Sequence, residues 1–179
     1  MNKIIYIGIT GNPGVGKDTF ANSLKDHIKG ASIYHIVKNI RRVAAILHPQ
    51  WTEEELESHP TKDEKRDGKT GRELTIETAK IIDDYYGKAK WMNILEDQII
   101  REEERIVIIS DVRTIVQLKW LQNRDAYIVN IKGGESKYDI EKESNTPSAL
   151  KYYNAVIEKY PTIETVITIA DVIKNKYSL

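Results

Sequence analysis

Hydrophobic positions in this chain fall into two rhythms. "KIIYIGI" (3–9), "RIVIISDVR" (105–113) and "AYIVNI" (126–131) are apolar almost without a break. That is the pattern of strands buried on both faces of a parallel sheet. "SIYHIV" (32–37) is a shorter, less apolar candidate of the same kind, and "NAVIE" (154–158) a short one near the end. Between them the spacing turns helical. Phe20, Leu24 and Ile28 mark a helix that Gly30 can end, and "KNIRRVAAIL" (38–47) reads as another that stops before Pro49. Leu74, Thr78, Ile81 and Tyr85 share one face of a helix ended by Gly87, and Trp91, Leu95 and Ile99 mark the next. Ile115, Leu118 and Leu121 carry a helix between two strands. A final one, after Pro161 and Thr162, is expected to bury Ile163, Val166, Ala170 and Ile173.

Strands alternating with helices predict an α/β fold around a central parallel sheet of about five strands. Two segments interrupt the alternation, roughly 50–104 and 133–152. Within the first, Glu53–Gly71 is polar and charge-dense and reads as a short helix followed by an exposed loop. Within the second, Lys132–Ser148 is polar without a period. No linker or internal repeat divides the chain, so residues 1–179 are expected to form one domain with two insertions.

Composition narrows the chemistry. There is no cysteine, which excludes disulfides, thiol catalysis and Cys-ligated zinc. The formal net charge is zero, so bulk charge makes no case for nucleic acid or membrane as a partner. No apolar run approaches the ~20 residues needed to span a bilayer. The apolar start runs into Gly11-Asn12-Pro13-Gly14 with no small-residue cleavage site. A cytoplasmic protein is expected.

The candidate chemistry begins at "GNPGVGKDTFA" (11–21), which nearly matches the phosphate-binding pattern G-x-x-x-x-G-K-[ST]. Gly11, Asn12, Gly14, Val15, Gly16 and Lys17 stand between a predicted strand and a predicted helix. There, inward backbone N–H groups and a helix N-terminus would cradle the phosphates of ATP. Asp18 replaces the hydroxyl residue, and Thr19 comes one place late. Asp18 can serve Mg2+ directly or through water, or act simply as an acidic residue at a helix start. Asp111 lies at the carboxyl end of the strongest strand, where ligands bind in open parallel sheets. It could hold water on Mg2+, bind the sugar of an acceptor, or cap the following helix. Arg113 could reach a phosphate with two parallel bonds or be a surface charge. Arg72 alone would read as solvated, and Lys38 is a weak candidate near the active edge of the sheet. The four histidines show no ligand spacing and read as structural. Trp91 lies near the proposed substrate region.

Four blocks in order, "GNPGVGKDTFA", "GKTGRELTIETAKIIDDYYGKAKWMN", "IVIISDVRTIVQ" and "NAVIEKYPTIETV", are similar to the phage-type deoxynucleoside monophosphate kinases, members of the P-loop nucleoside monophosphate kinase superfamily. The delayed threonine is also that of adenylate-kinase-type loops. The resemblance implies a three-layer P-loop fold with helical nucleotide-binding and lid insertions. It also implies Mg2+ with ATP as phosphoryl donor and a deoxynucleoside 5′-monophosphate as acceptor. Lys17 and Thr19 would then serve the donor phosphates, and Asp18, Thr19 and Asp111 the metal. Lys17, Asp111 and Arg113 would be catalytic. Arg72 and Arg113, with Lys38 and Trp91, would meet the acceptor, and a homodimer would be in keeping with such a family. One departure is that 133–152 contains no arginine, so Lys132, Lys137, Lys142 and Lys151 would have to charge a lid.

Two other readings fit the same residues. One is a kinase of a modified pyrimidine, such as a hydroxymethylated nucleotide or base in DNA. The other is a non-catalytic ATP-binding sensor.

Overall fold

The computed structural model describes residues 3–58, 61–133 and 146–179. The chain divides into two compact units, one of Met1–His35 with Gln98–Leu179 and one of Ile36–Asp97.

The first unit is built on five parallel strands: β1 (Ile5–Gly11), β2 (Ala31–Tyr34), β5 (Ile106–Val112), β6 (Tyr127–Ile131) and β7 (Ala155–Ile157). Their order is β2-β5-β1-β6-β7, so β1 is central. Alternate residues face opposite sides of the sheet. Ile7, Ile9, Ile106, Ile108, Val129 and Ile131 share one buried core with helices α1 (Lys17–His27) and α7 (Ile163–Tyr177). Those helices contribute Phe20, Leu24, Val166 and Ile173 to it. The opposite face takes α6 (Ile115–Gln122). Tyr6 meets Trp120 edge to face at 5.3 Å. A Cβ on Gly8 would lie 2.6 Å from Leu121 Cδ1, so the small residue lets α6 approach the central strand. Sheet and flanking helices thus make the expected three layers.

β1 and β5 pair Gly8 with Ile109 but Thr10 with Val112. Two steps on β1 match three on β5, so β5 carries an extra residue at Ser110–Asp111. Such bulges bend a strand and re-aim its side chains.

The second unit holds α2 (Ile36–Leu47), α3 (Glu53–Glu57), α4 (Gly71–Tyr86) and the start of α5 (Lys90–Arg101). Ala44, Trp51, Leu56 and Leu74 form its core. Thr52 with Glu55, and Thr70 with Glu73, make capping boxes that start α3 and α4.

Several boundaries differ from expectation. The second strand ends at Tyr34, and Ile36 opens α2, because Ile36, Ile40 and Ala44 make a buried stripe at helical spacing. The expected exposed loop beyond α3 carries regular structure in its described residues. It contains a 3-10 turn (Thr61–Asp63) and a hairpin of β3 (Lys65–Arg66) and β4 (Lys69–Thr70). Asp67 and Gly68 both have positive φ (51° and 83°), as a two-residue Asp-Gly hairpin turn needs. On α4, Leu74 and Thr78 are buried but Ile81 and Tyr85 are exposed. Helical spacing says which residues share a face, not how far along the helix that face is covered. Ile163 is likewise exposed, while Val166, Ala170 and Ile173 are buried. The expected lid falls largely on residues 134–145, Lys137 and Lys142 among them, which lie outside the described residues. Among the described residues no helix is long and apolar enough to cross a membrane.

Candidate functional site

The glycine loop is shaped by its two neighbours in the sheet. β1 ends at Gly11 with φ 142°, and a Cβ there would come within 2.4 Å of the Ile131 carbonyl oxygen on β6. Val15 is fully buried and anchors the loop in the core. Gly14 (φ 73°) faces open space, so the loop presents bare backbone there. Gly16, in the left-handed region, is the N-cap of α1 and supplies no side-chain cap to its first N–H groups. A helix start of this kind suits an anion.

Lys17 is only 7% exposed, and its ammonium donates to the Asn12 carbonyl at 2.8 Å. The side chain therefore folds back over the loop. Asp18 and Thr19 follow in the first turn of α1, both exposed.

The carboxyl ends of β2 and β5 bring two further residues to the loop. Ser110 Oγ donates to Asp18 Oδ1 at 3.1 Å and lies 3.0 Å from His35 Nδ1. Asp111, next in the bulge, is nearly buried. It does not cap the following helix. Thr114 does, in a capping box with Gln117. Arg113 is half-buried, its main-chain N–H donates to Gln117 Oε1 at 2.7 Å, and its Nη1 donates to the Gly11 carbonyl at 3.4 Å. Asp111 follows Ser110 in the bulge. Lys17, Asp18 and Arg113 thus gather around one loop, together with Ser110 and His35, which sequence reasoning missed. Neither of those two sits in a recognisable motif, and their contacts cross 92 and 75 residues of chain.

Tyr160 also escaped the sequence reading. Its N–H donates to the Val15 carbonyl at 3.3 Å, its exposed ring lies beside Gly16, and Lys159 Nζ sits 4.6 Å from the ring centre.

In the second unit, Arg72 occupies the first turn of α4, and its Nε donates to Asp63 Oδ1 at 2.9 Å. Gly71 before it is held against Trp51 and Leu56, where a Cβ would lie 3.1 and 2.9 Å from their side chains. Burial lowers the Lys62 ammonium below its ordinary value, and the charges of Arg72 and Arg41 lower it further. Arg41 in turn pairs with Glu57 at 3.5 Å. Three cations, Arg41, Lys62 and Arg72, therefore share one locality. Lys62 carried no signal in the sequence, because it lies in a charge-dense stretch. Lys38 is exposed on α2. Trp91 is 3% exposed, with its indole N–H on the Ala79 carbonyl at 3.4 Å. Elsewhere on α4, burial raises the Asp83 carboxyl to about 6, and its Oδ1 is buried without a hydrogen-bond partner.

No protein-family model and no curated protein sequence matches the chain. Solved structures do. The crystal structure of TT1252 from Thermus thermophilus superposes with a TM-score of 0.57 over 98% of both chains, at 16% sequence identity. What the two share is the fold, a five-stranded parallel sheet flanked by helices. A tunicamycin resistance protein from Deinococcus radiodurans has a TM-score of 0.44 at 12% identity, covering 98% of this chain and 96% of its own. A sugar kinase from Janibacter sp. has 0.42 at 14%, covering 96% and 95%.

Proposed function

We propose that the protein transfers the γ-phosphoryl group of Mg-ATP to a deoxynucleoside 5′-monophosphate, giving ADP and a deoxynucleoside diphosphate. The observation that carries the reading is the glycine loop. Bare backbone at Gly14, an uncapped helix start and a nearly buried lysine together favour a polyphosphate. The resemblance of the four sequence blocks supplies the acceptor class.

An acceptor phosphate oxygen is already anionic, so no general base is needed. It attacks the γ-phosphorus while the bond to the β-phosphate oxygen breaks, and ADP leaves with that electron pair. The protein's work is to align two polyanions and offset their repulsion. Loop N–H groups from Gly11 to Gly16 hold the β-phosphate. Lys17 leaves the Asn12 carbonyl and follows the γ-phosphoryl group. Arg113, tied to the loop through Gly11, meets the transferred group. Arg72 holds the acceptor phosphate, with Arg41 and Lys62 adding charge in the same unit. The oxygen donors of Asp18, Thr19 and Asp111 fit a hard cation that takes one or two carboxylates beside phosphate oxygens and water. Bound there with the nucleotide, Mg2+ would neutralise charge developing on the β and γ oxygens.

The test is incubation with Mg-ATP and each of the four common deoxynucleoside monophosphates, following ADP and the diphosphate product. Acceptor-dependent ADP is expected with at least one of them. ATP binding with no acceptor-dependent ADP would make the protein a sensor. Turnover confined to a hydroxymethylated nucleotide or to DNA would move the acceptor class.

A further inference from the structure

The phosphate-loop pattern asks for a hydroxyl directly after the lysine, and here Asp18 stands in that place. We propose that Ser110 and His35 are positioning residues that hold the Asp18 carboxylate as the loop's ligand to the divalent cation of a bound nucleotide. The inference rests on the nucleotide-binding part of the reading above.

A proton count sets the direction of the chain. Ser110 Oγ has one proton and two neighbours, Asp18 Oδ1 at 3.1 Å and His35 Nδ1 at 3.0 Å. A carboxylate only accepts, so the hydroxyl proton goes to Asp18. The serine oxygen must then accept from His35, whose proton is therefore on Nδ1. The chain reads His35 Nδ1–H to Ser110 Oγ–H to Asp18 Oδ1. One carboxylate oxygen is engaged in this way, and a carboxylate has a second to offer a cation or its water.

Burial and backbone explain why this chain can position a side chain. Asp18 is exposed on the first turn of α1, where its rotamers would otherwise be open. Ser110 is fully buried within the β5 bulge, and His35 directly follows β2, which pairs with β5. The two donors are thus fixed by the sheet, and they transfer that order to the loop. Removing a group that orients a metal ligand in this way typically costs about 10- to 100-fold in metal affinity.

Binding of Mn2+–ATP, read by titration calorimetry and by the Mn2+ EPR signal, tests the proposal against ATP binding in EDTA. Ser110→Ala should weaken Mn2+–ATP about tenfold or more, while ATP in EDTA stays within about twofold. His35→Leu should weaken it in the same direction, and His35→Asn, which keeps an N–H near the Nδ1 position, should restore most of the loss. In an Asp18→Asn background, Ser110→Ala should add nothing, since coupled residues are not additive. Parental Mn2+–ATP affinity in Ser110→Ala overturns the proposal. So does an equal loss in EDTA, or an undiminished loss in the Asp18→Asn background. If the parent binds Mn2+–ATP but phosphorylates no acceptor, the kinase reading falls and the positioning chain stands. If the parent binds Mn2+–ATP no better than ATP in EDTA, both fall.

Discussion

Arg72 is held by Asp63, guanidinium Nε to carboxylate Oδ1 at 2.9 Å, on the first turn of α4. Both side chains are partly exposed, so the pair contributes at most about 1 kcal/mol to folding. It fixes the direction of the guanidinium without locking it, and a phosphate dianion can compete for it. Arg72→Ala should raise the acceptor KM about 10- to 100-fold, the worth of charge-assisted hydrogen bonds. It should shift Tm by less than about 4 °C. Arg72→Lys should not restore the KM, because lysine lacks the planar fork. Steady-state kinetics beside a thermal melt checks all three. An unchanged KM would remove Arg72 from the acceptor site.

Lys17, within the loop, and Arg113, 102 residues beyond Gly11, both bond to loop carbonyls, those of Asn12 and Gly11. Lys17→Ala should remove ~3–4 kcal/mol of transition-state stabilisation, about 10²- to 10³-fold in rate, as other preorganised charges do. Arg113→Ala should cost at least about 10³-fold if it stabilises the transferred group. Either variant within a few-fold of the parent rate loses its assigned role.

Gly11 and Gly14 should fail in different ways. A methyl on Gly11 meets the Ile131 carbonyl, a backbone atom between β1 and β6, at positive φ. Overpacking and strain together should lower Tm by at least about 5 °C. A methyl on Gly14 meets nothing, so only its positive φ is penalised, about 1–2 kcal/mol. Gly14→Ala should therefore lose less Tm than Gly11→Ala, a few degrees at about 2–4 °C per kcal/mol, yet bind ATP poorly, because the methyl occupies the approach of the phosphates. Tm and ATP affinity measured on both variants separate the two effects.

Asp83 gives the fold a pH dependence. Its carboxyl rises from an ordinary 3.8 to about 6, mainly through burial, then Asp84, against the pull of Lys88. The folded chain thus holds more protons than the unfolded one between about pH 4 and 6, and this contribution to stability falls as pH rises through that window. Asp83→Asn should melt higher than the parent at pH 7, and the gain should vanish near pH 4. A gain of the same size at both pH values would remove Asp83 as its source.

β1, β5 and β6 were legible because burial on both faces makes most of their positions apolar in an unbroken run, as in the "IVII" that opens β5. The edge of β2 was not, since Ile36 and Val37 extend an apolar run as readily as they begin a helix. Asp67-Gly68 was a usable turn signal. Its flanks, Lys65, Arg66 and Lys69, are charged, so nothing apolar marked two strands. The loop residues Gly11 to Thr19 could be read directly, because phosphate chemistry constrains consecutive positions. Lys62 beside Arg72, and Ser110 beside Asp18, could not. Those neighbours are made by folding, and spacing along the chain does not record it.

The bulge at Ser110–Asp111 recasts the irregular loop motif. The position after Lys17 holds a carboxylate instead of a hydroxyl, and a hydroxyl 92 residues onward, on Ser110, bonds to that carboxylate. A loop position can thus be shaped by a residue on a distant strand as well as by its own neighbours in the chain. Searches keyed to the consecutive pattern would discard such a protein at residue 18. Pairing an aspartate after the loop lysine with a small hydroxyl residue just before the strand-end aspartate would retrieve it. Loops that keep their own serine or threonine should leave that strand position free to vary.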